Sequence, residues 1–219
     1  STGDIDSTTD DGTADVEGAT VNLVAAANGI GQGSVLDVTA TTQLNADTDA
    51  GDDANIDIDS IGDATVGLVD AGAGDVTLDS TGDIDSTTDD GTADVEGATV
   101  NLVAAANGIG QGSVLDVTAT TQLNADTDAG DDANIAIDGI GATPVGVITA
   151  GAAGGDIELD STGAISDTNN GVASIIGTDA ILRSDGGVGS GTADGATDLE
   201  TSVSNLDVSN QNSGAIVIT

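Results

Sequence analysis

The chain has 219 residues, with 39 acidic side chains against a single basic one, Arg183, and a formal net charge of −38. This balance excludes nucleic acid and anionic membrane surfaces as partners, because contacts to phosphate groups need Lys or Arg. Cys and His are absent, which excludes disulfides and thiolate or imidazole metal ligands. The sequence contains no run of about 18 apolar residues, so no membrane-spanning helix is predicted.

A long internal repeat organises the chain. Residues 1–56 recur letter for letter at 80–135, and the tripeptide Ser-Thr-Gly begins at Ser1, Ser80 and Ser161. We therefore predict three modules, at 1–79, 80–160 and 161–219, stacked in one continuous array. Because the sequence begins and ends inside the repeat pattern, we expect a segment of a longer protein.

Short strands are predicted along each module. In chain order, "VNLVAAANGIG" predicts a strand that ends in a turn, and apolar residues then alternate with polar ones at Ile56 and Ile58, Val66 and Leu68, and Val76 and Leu78. This alternation places one face of a strand in a core and the other in water. The clusters "TTDDGT", "NGIGQG", "DTDAGDDAN" and "DAGAGD" supply the Gly, Asn and Asp that tight turns require.

The spacing of the strands predicts an all-β fold. Similar landmarks at Leu23, Leu44, Val66 and Ile84 indicate a β-solenoid with coils of about 20 residues, hence about 11 coils and a rod of about 50 Å. Tandem β-sandwich domains are the alternative. A core made only of Val, Ile, Leu and Ala favours the solenoid, because sandwiches usually fill their cores with larger side chains.

Clustered carboxylates predict calcium as the one candidate cofactor, since calcium selects hard oxygen ligands on Gly-containing turns. The stretches "STTDDGTADVE" and "DTDAGDDAN" each occur twice. The alternative is a solvated acidic surface with diffuse counterions. The predicted ligands come from the second stretch: Asp47, Asp49, Asp52, Asp53, Asp126, Asp128, Asp131 and Asp132.

Catalysis is not expected. Ser and Thr are abundant, but no His, Lys or Cys is present to activate them, which leaves carboxylate pairs such as Asp57 and Asp59 for acid and base chemistry on a glycan. Alternating Asp residues are more typical of the solvent face of a strand. Arg183 is predicted to form a surface ion pair with a nearby Asp such as Asp185.

Two related strings resemble a known family. "GDVTLDSTGDI" (Gly74 to Ile84) and "GDIELDSTGAI" (Gly155 to Ile165), followed by a "GIGQG" or "GGVGSG" turn and then "LDVTATTQLNA", are similar to the repeats of filamentous-haemagglutinin-like bacterial exoproteins. The resemblance implies a right-handed parallel β-helix that forms the shaft of a large secreted protein. It also implies a role as an adhesin or as a biofilm or fibre component, and it carries over no catalytic residues.

The expected function is therefore structural, in the shaft of an extracellular or cell-surface adhesin or fibre. Expected partners are further copies of the protein, in fibres or a surface layer, and a cell-surface or glycan receptor. Two alternatives stay open: a calcium-dependent surface-layer or sandwich-repeat protein, and a β-helix enzyme that modifies polysaccharides through Asp57 and Asp59.

Overall fold

The structure, a computed structural model, describes residues 1–48, 54–127, 133–151, 154–169, 171–190 and 198–219. These residues contain strands and turns, and they include no helix long and apolar enough to cross a membrane. The strands are β1 Val16–Ala25, β2 Leu36–Thr48, β3 Ile56–Ser60, β4 Ala64–Asp70, β5 Val76–Ser80, β6 Ile84–Ser86, β7 Val95–Ala104, β8 Leu115–Thr127, β9 Ile135–Gly139, β10 Thr143–Ala150, β11 Ile157–Ser161, β12 Ile165–Asp167, β13 Ile175–Ile176, β14 Asp179–Ser184, β15 Thr201–Ser202 and β16 Asn205–Asn210.

The strands stack into two ladders, and each turn of the chain contributes to both. The first ladder passes through Val16, Val38, Ser60, Ser80, Ala104, Thr127 and Ala150. The second ladder passes through Leu23, Ala46, Val69, Val95, Val117, Gly139, Ser161, Ser184 and Asn210. Every strand pairing in the described ranges is parallel. The predicted parallel β-solenoid is confirmed, and antiparallel sandwich domains are excluded.

The solenoid has about 8 turns, so the prediction of about 11 coils is wrong. Most coils are longer than the landmark residues indicated, and their lengths differ. The coil that leads from Ile56 to its partner Val76 is short, whereas the coil from Ala180 to its partner Leu206 is longer. The extra residues lie in turns between the strands. With neighbouring strands about 4.8 Å apart, eight turns give a rod of about 40 Å.

One repeat module does not span a whole number of solenoid turns. Val95 is the copy of Val16, yet Val16 lies in the first ladder and Val95 in the second. Val95 is three pairings beyond Leu23, and Leu23 is where the turn that contains Val16 reaches the second ladder. One 79-residue module therefore spans about three and a half turns, and identical sequences occupy different ladders in successive modules.

The core is a stack of aliphatic side chains. Ile56, Ile58, Val76 and Leu78 are all at most 1 % exposed, so the alternation predicted for these strands is confirmed. Across the turns, Ile30 pairs with Ile56, and their copies Ile109 and Ile135 pair in the same way. Stacking of this kind buries each side chain against its counterparts one turn away. Each Å² of apolar surface removed from water stabilises the folded state by about 25 cal/mol.

One of the predicted inward pairs is wrong. Val66 is fully buried, but Leu68 is 39 % exposed and Val69 takes the inward position instead. The cause is a register shift between β2 and β4, where Leu44 pairs with Val66 but Asn45 pairs with Leu68. The extra residue at this bulge reverses the faces of the side chains that follow it.

The "GIGQG" segments form turns, as the sequence predicts. Asn28 and its copy Asn107 have positive φ angles of 66° and 64°, which Asn tolerates better than most residues. Gly31 follows with a φ of 70°, and a Cβ there would overlap the carbonyl oxygen of Asp57 on the next turn. Gly is therefore required where consecutive coils approach each other most closely.

Substitution of two leucines tests the placement of the bulge. Leu44→Ala is expected to lower the free energy of unfolding by about 2–5 kcal/mol, because it leaves a cavity in the stack. Leu68→Ala removes the same atoms from a partly exposed position and should cost less than about 1 kcal/mol. Urea unfolding followed by circular dichroism measures both, and equal costs would contradict the outward placement of Leu68.

Candidate functional site

The turn after β6 positions one carboxylate beside the second ladder. In the "TTDDGT" segment, Asp90 Oδ1 accepts a hydrogen bond from the backbone N–H of Thr92 at 2.9 Å, and Gly91 has a φ of 72°. This side-chain-to-backbone bond is the usual reason for Asp in tight turns. Its neighbour Asp89 is thereby held on the outside of the turn. Asp10 has the same place in the first module, where Asp11 bonds to Thr13.

Stacked strands supply the other carboxylates. Asp116 of β8 pairs in register with Asp138 of β9, and Asp138 pairs with Asp160 of β11. The equivalent row in the first module is Asp37, Asp59 and Asp79. Carboxylates directly across a ladder repel each other, so these rows concentrate unfavourable charge along the solenoid.

Turn and strands together form two acidic triads. The first triad consists of Asp10, Asp37 and Asp59, and the second of Asp89, Asp116 and Asp138. In each triad one carboxylate oxygen from every residue lies within 4.8 Å of the others. Each triad has an exposed turn residue, a buried residue from the first strand and a half-buried residue from the next. The arrangement brings together segments that belong to successive turns.

Asp116 is the buried centre of the second triad. It is 0 % exposed, its Oδ2 accepts the backbone N–H of Gly91 at 3.0 Å, and its own N–H donates to Asp94 Oδ2 at 2.9 Å. Oδ1 of Asp116 is buried as well and has no hydrogen-bond partner among the described residues. In the first triad, Asp37 is 1 % exposed and accepts the N–H of Gly12 at 3.2 Å.

The third module repeats one contact of the triads, that between a turn glycine and a carboxylate, with a glutamate as the acceptor. Glu200 Oε1 accepts the backbone N–H of Gly171 at 2.9 Å, as Asp116 accepts that of Gly91. Oε2 of Glu200 is likewise buried without a hydrogen-bond partner in the described part of the chain. In the second and third modules, therefore, the backbone N–H of a turn glycine donates a hydrogen bond to a carboxylate that lies one coil further along the chain.

Burial and neighbouring charges raise the pKa values in the triads. Burial, followed by the charges of Asp160, Asp116 and Asp89, raises the pKa of Asp138 to about 6. Burial is also the main cause of the raised pKa of Asp59, with Asp79, Asp10 and Asp37 contributing. These carboxylates therefore take up a proton more readily than usual, and their ionised forms are disfavoured unless a cation balances the charge.

Arg183 ends the acidic row of the second module. It pairs in register with Asp160, and its Nη1 forms ion pairs with Asp160 Oδ1 at 3.0 Å and with Glu158. The predicted surface pair with an Asp is confirmed, but the partner is Asp160 and not Asp185, because the ladder places Arg183 beside the preceding coil. An open groove of about 300 Å³ is lined by Asp116, Asp138, Asp160 and Arg183, among others.

Most of the predicted calcium ligands cannot be placed. Asp47 and Asp126 lie near the C-terminal ends of β2 and β8, and among the described residues neither belongs to a group of three carboxylates that could hold a metal ion. The other six, Asp49, Asp52, Asp53, Asp128, Asp131 and Asp132, lie outside the described residues. A calcium site in the "DTDAGDDAN" loops stays a prediction.

Sequence reasoning pointed to part of the triads. Asp10 and Asp89 lie in the "STTDDGTADVE" stretches, whose content of oxygen ligands is evident from the sequence. The strand carboxylates were missed as ligands, although Asp37 pairs with Asp59 at the same sequence spacing as Asp116 with Asp138. That spacing equals one coil, so the signal becomes readable once the coil length is known.

The proposed acid and base pair, Asp57 and Asp59, lies on the outward face of β3, where both residues are half-buried. Burial, and then the charge of Asp59, raises the pKa of Asp57. The second module keeps Asp138 in place of Asp59 but has Ala136 in place of Asp57. The two-carboxylate arrangement is therefore not repeated, whereas the triad is.

Comparison of the chain with protein-family models, with curated proteins and with solved structures found no match. The likeness to filamentous-haemagglutinin-like repeats therefore rests on the quoted residues alone.

Removal of Arg183 tests its pairing across the coils. Arg183→Gln is expected to lower the free energy of unfolding by up to about 1 kcal/mol, the range of partly exposed ion pairs. The loss should shrink at high salt because ions screen the interaction. Asp185→Asn, measured by the same urea unfolding, should leave stability unchanged or raise it slightly. A loss as large as that of Arg183→Gln would contradict the pairing with Asp160 and Glu158.

Asp83, which lies outside the triads, is expected to make the stability of the fold depend on pH. Burial, with the charges of Asp63 and Asp85, raises its pKa from 3.8 to about 6. The folded state then binds this proton more tightly than the unfolded state, so stability falls as the pH rises through this interval. Asp83→Asn should raise the melting temperature at pH 7 and have little effect near pH 4.

The matched control is Asp4→Asn, because Asp4 is the copy of Asp83 in the first module and is exposed. Melting curves in a chelator at both pH values compare the two variants. An equal gain at pH 7 for Asp4→Asn would show that lower net charge, and not the environment of Asp83, is responsible.

Proposed function

We propose that the chain is a structural segment of the shaft of a large secreted or cell-surface protein, an adhesin or a component of a fibre or biofilm matrix. The observation that carries this proposal is the ladder pairing, which runs from β1 to β16 across both module boundaries. Each turn contacts its neighbours, so length is added without a change in the stacking rule. A chain built in this way is suited to spanning distance.

Further copies of the same protein are the partners that the stacking rule favours. Near-identical coils pair in register along the solenoid, so another coil of this protein presents a matching register. The high negative charge opposes association with unrelated acidic chains.

The proposal assigns the chain no reaction and places it outside the cell or on its surface. The test is labelling of intact cells that produce the protein, with an antibody raised against residues 80–135, whose sequence is identical to residues 1–56. We expect the label on intact cells or in the medium. Labelling that appears only after the cells are lysed would overturn the proposal, and a cytoplasmic protein serves as the control for leakage.

Insertion of one more module tests the shaft geometry. A second copy of residues 1–79, placed between positions 79 and 80, recreates the natural junction and should add three and a half turns. At about 4.8 Å per turn the rod lengthens by about 17 Å, which small-angle X-ray scattering or electron microscopy can measure. An increase in width without this increase in length would contradict a stack that extends along one axis.

A further inference from the structure

We propose that each acidic triad binds one divalent cation of the size of calcium, which joins three segments from successive turns. The cation in the second triad is held by Asp89, Asp116 and Asp138, and the cation in the first by Asp10, Asp37 and Asp59. This inference does not depend on the proposed function, since it concerns what holds the turns together.

The buried carboxylate of Asp116 carries the argument. Burying an ionised carboxylate costs several kcal/mol unless its oxygens find partners. Gly91 satisfies Oδ2, whereas Oδ1 is buried without a hydrogen-bond partner among the described residues. Almost all buried polar atoms in proteins have a partner. No hydrogen bond in the described structure gives Oδ1 a partner. A cation bound within the triad gives it one.

The dimensions of the triad fit a calcium ion. Calcium binds oxygens at about 2.3–2.6 Å, so two of its ligands are separated by up to about 5 Å when they lie on opposite sides. The triad oxygens lie within 4.8 Å of one another. Three carboxylates provide up to six oxygens, and the groove of about 300 Å³ lined by Asp116 and Asp138 leaves room for water ligands and for entry of the ion.

The protein has no basic side chain to place there. Arg183 is the only one in the sequence, and it is paired with Glu158 and Asp160. A counterion for three clustered carboxylates must therefore come from solvent. A divalent ion leaves a site charge of only about −1, and it holds its ligands at fixed distances, which diffuse monovalent ions do not.

A comparison of the first and second modules also points to Asp59 and Asp138. Residues 57–70 hold four aspartates, at 57, 59, 63 and 70, in a stretch where the two modules have diverged. In this stretch the second module has Ala136, Ala142 and Thr149 in place of three of them and keeps Asp138, the copy of Asp59. Further on, Asp156 and Asp160 keep the places of Asp75 and Asp79. Of the aspartates that are kept, Asp138 is the one that completes the triad.

Calcium titration of the whole chain by calorimetry, in buffer with a constant excess of sodium, tests the proposal. Two sites that depend on the triad residues are expected in the wild type. The double variant Asp59→Asn, Asp138→Asn removes one ligand from each triad and should weaken both sites about tenfold or more, since even outer-shell changes cost that much in many metal sites. Each single variant should weaken one site and leave the other.

The control is Asp4→Asn, Asp83→Asn, which removes the same charge from equivalent positions outside the triads and should leave calcium binding unchanged. If Asn at 59 and 138 disturbs folding, as seen by circular dichroism, the exposed pair Asp10→Asn, Asp89→Asn tests the same ligand sets. Equal calcium affinity in the wild type and in the folded triad variants would overturn the proposal. So would calcium binding by the wild type that the excess of sodium abolishes.

Discussion

In-register stacking of residues one turn apart is the constraint on which the rest of this structure depends. It places like residues against like, because the coils are near-repeats of one another. In the core this is favourable, since Ile30 packs under Ile56 and both side chains are buried. On the surface the same rule places Asp37 against Asp59, where the charges repel. The solenoid is therefore stabilised by its core against a cost created by the same geometry.

The half-turn left over by each module explains the plain composition of the core. Val16 packs in the first ladder, whereas its copy Val95 packs in the second, between Val69 and Val117. One sequence must fit both settings without change. A large aromatic ring would need a matching gap in each ladder, but Val, Ile, Leu and Ala fill either ladder with small adjustments. The absence of aromatic residues follows from this double use, and the same tolerance lets modules be added.

Alternation of polar and apolar residues predicted the strands, and their spacing and the small aliphatic core favoured a solenoid over sandwich domains, but the length of the coil was not readable from these patterns. Ile30 pairs with Ile56 and Leu36 pairs with Ile58, so residues 31–35 form a loop where the next turn uses a single residue. Loops of this kind leave the strand pattern intact and hide the true period. The bulge that exposes Leu68 has the same character, since a single extra residue changes which side chains face inward. The triads were missed for the same reason, because Asp37 and Asp59 meet only in the register that such a loop sets.

The acidic rows also differ in how their charge is balanced. Beside the last carboxylate of the second module's row, Arg183 occupies the position that Val103 has beside Asp79, and it forms ion pairs with Asp160 and Glu158. The first row ends at Asp79 beside Val103, so no basic side chain of the described residues compensates it. Burial, together with neighbouring carboxylates, raises the pKa values of Asp59 and Asp79 in this row, so lowering the pH relieves part of its charge. At neutral pH the row of the first module therefore takes its counterions from solvent, and its stability depends on the ionic composition outside the protein. The row of the second module is compensated in part within the chain, by Arg183 of the third module.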